Sequence, residues 1–197
     1  MSTLAEIAPG LHRWTAWHDE WQEEVGCIAV ETTDGLVLID PLEPPKGLRR
    51  PAHILITVFW HARATPGVRG ARVWASPDAR RTLASRGVTV TDPLVPDAVL
   101  PGGIEALHTA RRGEVVYCLP VQKTVVVGDV LLGAGAKPRD TGEPIRLCPE
   151  RWLGKTTHEE LRESLRPLLE RPVQRLLPSH GAPVLRAGKR HLAAVLS

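Results

Sequence analysis

The sequence predicts one domain of mixed α and β structure spanning residues 1–197, and three observations carry that expectation. At 197 residues the chain fits a single domain with a sizeable core, and its 43% hydrophobic and 24% charged residues are ordinary for a soluble globular protein. Short β-rich runs recur along the whole length, bounded by glycine and proline. Two capped helical segments, near residues 77 and 157, interrupt those runs in each half of the chain.

The elements follow in order. Residues 10–14 predict a short first strand. Residues 25–32 and 36–39 read as a hairpin, because Asp34-Gly35 between them is a strong turn signal. Pro41, Pro44 and Pro45 then end regular structure. Residues 53–58 and 72–75 give two more strands. Ser76-Pro77-Asp78 supplies an N-cap, a first-turn proline and a carboxylate suited to the helix dipole, so a helix is expected to Arg86 with Gly87 ending it. Residues 104–108, 114–119 and 124–127 predict three further strands. Thr157-His158-Glu159-Glu160 has the form of a capping box, and Leu161, Leu165, Leu168 and Leu169 share one face of the helix it opens. Pro167 should shorten that helix. Residues 174–177 make a last strand and 188–197 a closing helix.

Charge and cysteine content exclude several function classes. The net charge is +3 and the basic residues are scattered in pairs such as Arg49-Arg50 and Arg111-Arg112, so a nucleic-acid role is not expected. A pI near 9.0 gives slight support to an anionic small-molecule ligand. Three cysteines, Cys27, Cys118 and Cys148, with no C-x-x-C spacing argue against a disulfide scaffold and a thiolate zinc site. No secretory signal or membrane span is visible, and a cytoplasmic protein is the default expectation.

Several segments together carry a family resemblance. Residues 54–63 read Ile-Leu-Ile-Thr-Val-Phe-Trp-His-Ala-Arg, an apolar strand running into a loop. Val127-Gly128-Asp129 and Ser179-His180-Gly181 close two later apolar strands. With the early Gly35–Pro41 segment and the Ala71–Pro77 step, this order resembles the metallo-β-lactamase-fold superfamily over most of the chain. The resemblance implies a four-layer αββα sandwich; composition and periodicity alone give only mixed α and β.

The family's first motif usually reads Thr-His-x-His-x-Asp-His. Here Thr57 is present, but Val58, Trp60, Ala62 and Arg63 stand in the ligand slots. The matching later motifs supply Asp129 and His180, and anchoring the middle motif on Gly113 puts Ala110 in its slot. Two ligands are too few for a tight site, since a catalytic zinc needs about three. The leading expectation is therefore a degraded metal centre: a pseudo-enzyme or small-molecule and anion binder, with no cofactor. The alternative is a mononuclear metal-dependent hydrolase holding one divalent ion (zinc, iron or manganese) on Asp129, His180 and His61. A protein or nucleic-acid interaction module is the third reading.

Further residues are assigned around this pocket. Arg63 is expected to pair with Asp129 in place of an ion, with Arg111 or Arg112 adding positive field, because an unpaired buried carboxylate is costly. Trp60 should close the pocket. Trp17 and Trp21 lie in the segment matching the family's flap, yet Trp14, Trp17 and Trp21 also have i, i+3, i+7 spacing, so a short helix packing them into the core is the plainer expectation. His108, two residues before its slot, is a further candidate ligand.

Overall fold

A computed structural model describes residues 3–96, 98–138 and 141–197. The first half forms a seven-stranded sheet in chain order: β1 (Ala5–Ala8), β2 (Leu11–His18), β3 (Glu23–Thr32), β4 (Gly35–Ile39), β5 (His53–Leu55), β6 (Arg72–Ala75) and β7 (Asp92–Pro93). The first four pair antiparallel, while β4 to β7 run parallel. A second sheet contains β8 (Glu105–His108), β9 (Val115–Leu119), β10 (Thr124–Val127) and, beyond a small ribbon, β13 (Arg175–Pro178). The ribbon pairs β11 (Leu131–Gly133) with β12 (Ile145–Leu147).

Side-chain alternation divides the core into layers. Val37 and Ile39 of β4, Leu55 of β5 and Trp74 of β6 face Val115, Tyr117 and Leu119 of β9 and Val126 of β10, filling the space between the sheets. The neighbours one position along point outward. Ile54, Val73 and Ala75 pack beneath α1 (Arg80–Ser85) through Leu83. Val116, Cys118, Val125 and Val127 pack against Leu161 and Leu165 of α2 (His158–Leu165) and Leu192 and Leu196 of α3 (Gly188–Leu196). Helix, sheet, sheet, helix is thus the order of layers.

Most expected elements are present, with four differences. The tryptophan segment is not a helix: β2 runs through Trp14 and Trp17 in full register with β3. They stand three positions apart, an odd offset, so they face opposite sides. Trp14 is buried and donates from Nε1 to Leu42 O at 2.8 Å, whereas Trp17 is 47% exposed. The helix expected from Ser76 begins instead as a 3-10 turn (Pro77–Ala79), Ser76 makes no side-chain cap bond, and α1 is short. Residues 53–58 contribute only three strand positions before the chain turns. Finally, β1, β7, β11 and β12 carry too few residues for a pattern to show.

The capping box of α2 is formed: Glu160 N donates to Thr157 Oγ1 at 3.2 Å, and Thr157 N to Glu160 Oε2 at 2.8 Å. Pro167 sits inside a 3-10 turn (Arg166–Glu170) that ends α2, as its missing N–H requires. Among the described residues, no helix is long and apolar enough to cross a membrane.

Candidate metal centre

The C-terminal ends of β4, β5, β10 and β13 and the start of β3 all open on one edge of the sandwich. The two sheets are stitched together there, where Gly26 N donates to Ser179 O at 2.7 Å and Val25 bridges His180. Strand ends free their residues from the ladder, so their side chains are available to a site. Asp40 follows β4, the 3-10 turn Phe59–Ala62 follows β5, Asp129 follows β10, and Ser179-His180 follows β13. Gly128 must be glycine, because a Cβ there would lie 2.6 Å from Thr57 Oγ1 and 2.8 Å from Glu114 Oε1.

His61, Asp129 and His180 meet at this edge, all buried, each offering one donor atom within 4.8 Å of the others. His61 Nε2 and His180 Nε2 each lie 3.1 Å from Asp129 Oδ1. Yet His61 Nε2 and Asp129 Oδ1 have no hydrogen-bond partner. Buried polar atoms rarely go unsatisfied, so converging orphans of this kind fit a cation that none of them supplies.

The far sides of all three candidate ligands are held by other residues. His61 Nδ1 lies 2.8 Å from Asp40 Oδ2, and His180 Nδ1 lies 2.5 Å from Glu23 Oε1. A carboxylate on Nδ1 fixes the tautomer that leaves Nε2 free as a lone-pair donor. Asp40 is itself clamped, accepting from Thr57 N at 2.9 Å and Thr57 Oγ1 at 2.5 Å. It adopts φ +49°, a left-handed conformation that a non-glycine residue keeps only when its surroundings enforce it. Asp129 Oδ2 points away from the histidines, accepting from Trp60 Nε1 at 2.5 Å and lying 3.6 Å from Arg111 Nη1. Glu114 completes the support: Oε1 accepts from Asp129 N at 2.6 Å and Val130 N at 2.9 Å, and Oε2 from Arg111 Nη1 at 2.8 Å.

Electrostatics follow from this packing. Burial disfavours the charged form of Asp129, but His61 and His180 outweigh it and hold the carboxyl well below its ordinary range. Burial likewise opposes protonation of His180, yet Asp129 and Glu23 raise it to about 9. Glu114 is pushed up to about 7 by burial and by Asp129. Four carboxylates, Asp40, Asp129, Glu114 and Glu23, face two guanidiniums, Arg63 and Arg111. A divalent cation would offset much of that negative charge, as would protons on His180 and Glu114.

Arg63 does not pair with Asp129. Its Nη1 donates to Asp40 O at 2.9 Å and Gly26 O at 3.3 Å, and its Nη2 to Ser179 Oγ at 3.4 Å. The left-handed turn at Arg63, φ +41°, sends the side chain along the β3 edge, so the cation beside Asp129 is Arg111. Arg112 pairs with Asp78 on the surface, at 2.9 Å. His108 is exposed at the end of β8 and does not join the cluster. Trp17 is likewise apart, while Trp21 lies 5.0 Å from the His180 ring and 5.5 Å from that of His61. All three cysteines are buried, and burial raises their thiols to about 11 or 12, so none is a ready nucleophile.

A cavity of about 730 Å³ opens over the cluster, lined by Trp21, Trp60, Trp152, Arg63, Arg111 and His180 among others. Asp40, Glu23 and Glu114 are the residues the sequence reading missed. A carboxylate closing an apolar run (Asp40) or opening one (Glu114) was the available signal; Glu23 offered none, since its partner is 157 residues away.

No protein-family model matches the sequence, and comparison with curated proteins also finds no match. Solved structures do match. A metallo-beta-lactamase from Pontibacter korlensis aligns over 100% of this chain and 99% of its own, with TM-score 0.71 and 18% identity. The metallo-beta-lactamase FIM-1 from Pseudomonas aeruginosa, in its mono-zinc form, aligns over 99% and 94%, with TM-score 0.69 and 18% identity. A metallo-beta-lactamase from Hirschia baltica aligns over 99% and 97%, with TM-score 0.69 and 14% identity. At these identities the likeness concerns architecture, and it spans the whole length on both sides. The chain has the metallo-β-lactamase fold.

Proposed function

We propose that the chain binds one divalent metal ion through His61, Asp129 and His180 and acts as a mononuclear metal-dependent hydrolase. The observation that carries this reading is the convergence of two imidazole nitrogens and one carboxylate oxygen, two of them orphaned, at a buried point backed by Asp40 and Glu23. Two nitrogens and one oxygen form a donor set suited to zinc, with a further position open to the cavity. FIM-1 in its mono-zinc form is among the structural neighbours.

When bound, the ion supplies Lewis acidity, polarising a carbonyl or phosphoryl oxygen and acidifying water. The chain's own residues do the rest. Asp40 and Glu23 hold the protons on Nδ1 of His61 and His180, so both rings keep their orientation. Trp60 Nε1 donates to Oδ2 of Asp129 and Arg111 lies beside the same oxygen, so Oδ1 is the oxygen left for an ion. The indole and guanidinium stack, with Arg111 Cζ 4.5 Å from the Trp60 ring. Trp21 and Trp60 wall the cavity and reduce water around the reacting group.

A metal-free binding protein is the second reading, favoured by the high pKa of His180, because an imidazolium there also offsets negative charge in the cluster. Elemental analysis of protein purified without added metal separates the two. One equivalent of zinc, iron or manganese per chain, lost in both Asp129→Ala and His180→Ala, is the expected result. No metal, and no uptake from an excess of zinc by the folded protein, would leave the binding reading in its place.

A further inference from the structure

Strands β2 and β3 extend past the sheet that contains them. The pairing of β2 with β1 ends at Arg13, and that of β3 with β4 begins at Ile28. Among the described residues, positions 14–18 and 23–27 pair only with each other, apart from the Val25 bridge to His180. The far end of this ribbon is solvated: Trp17, Asp19, Glu20, Gln22 and Glu24 are exposed. Two strands with no further partner are marginal in water, so the tip keeps its place through contacts with the body of the protein.

Those contacts lead to the candidate metal centre. Glu23, at the tip, uses both carboxylate oxygens: Oε1 meets His180 Nδ1 at 2.5 Å, and Oε2 accepts from Lys137 N at 3.3 Å. Lys137 lies between β11 and β12, and its Nζ donates to Gln22 O at 2.5 Å. Trp21 stacks on His18, ring centroids 4.1 Å apart, and leans over the rings of His61 and His180. Glu23 therefore belongs to the ribbon but orients a side chain that belongs to the second sheet. A carboxylate on the far nitrogen makes the nitrogen facing an ion more basic and fixes its direction. Should the tip swing away, His180 keeps its place after β13 and loses that partner. Ribbon position and ion affinity are then linked, and linkage runs both ways: whatever holds the tip strengthens the site, and an ion in the site holds the tip.

We infer that the tip of the β2–β3 ribbon is a latch on the metal centre: Lys137 holds the tip closed, and Glu23 passes that closure to His180 as tighter binding of the ion. This rests on the proposed metal-binding reading and extends it to the control of the same site. Lys137 and Glu23 are thereby positioning residues, and neither is a donor to the ion.

The test measures zinc affinity by chelator competition in the wild-type chain, Lys137→Met, Glu23→Gln and the double variant. Lys137 is exposed and also lines the cavity, so its replacement spares the core and removes a positive charge near the site. Coulombic attraction alone then predicts tighter binding of a cation. A latch predicts the opposite sign, a loss of about threefold or more in Lys137→Met. In the Glu23→Gln background, where the carboxylate that reaches His180 is gone, the same replacement should cost little. Unchanged or tighter zinc binding in Lys137→Met would overturn the inference, and so would an equal loss in both backgrounds. Either result leaves one zinc per wild-type chain, and with it the hydrolase reading, in place. Absence of zinc uptake by the wild-type protein defeats the hydrolase reading itself, and the latch falls with it.

Discussion

Glu23 sits 157 residues from His180 in the chain and touches it at Nδ1. That contact is expected to govern the metal affinity of a ligand it does not itself replace. Glu23→Gln removes the acceptor charge but keeps the shape, and zinc affinity measured by chelator competition should fall by about 10- to 100-fold. Unchanged affinity would show that His180 is oriented by packing alone. The same histidine sets a pH dependence in the metal-free protein. Its pKa rises from an ordinary 6.5 to about 9, so the folded state prefers the protonated ring. The stability this provides is complete below pH 6.5 and lost as pH climbs through 9. The urea midpoint of metal-free protein should therefore fall across that window, and zinc, which takes the place of the proton, should flatten the curve. A midpoint that rises would contradict the ion-pair network described around Asp129.

At the scale of the element, strand ends matter more than strand interiors. The long apolar runs of β4, β9 and β10 were legible because alternation buries both faces, and their boundaries agree closely with the sequence reading. Asp129 and His180 were legible as candidate ligands because each closes such a run. His61 was visible only as a residue one place from a slot; the 3-10 turn Phe59–Ala62 that swings its ring inward depends on tertiary contacts to Asp40 and Thr57. The tryptophan segment misled because three positions spaced 3 and 4 apart fit a helix, while pairing with β3 decided the outcome. Arg63 misled for a related reason: its slot predicts nearness to Asp129, but a left-handed backbone turns it elsewhere. Helix α2 is the clearest local success. Thr157→Ala removes its cap and should cost about 1 kcal/mol in urea denaturation. A loss near zero would mean that Leu161 and Leu165 alone hold the helix in place.

Across the whole molecule, two sheets from opposite halves of the chain enclose one core and deliver their strand ends to one edge. Four carboxyl groups gather at that edge against two guanidiniums, and a folded interior tolerates such a cluster only with protons or added cations. The proposed single ion would supply positive charge there, with Trp60 and Arg111 packed on the far side of Asp129. Crystals grown from zinc-loaded protein and measured at the zinc absorption edge test this most directly. One anomalous peak per chain, bounded by His61 Nε2, Asp129 Oδ1 and His180 Nε2, is the predicted result. Two peaks in the cavity, with Arg111 displaced from Asp129, or no peak at those three atoms, would contradict it.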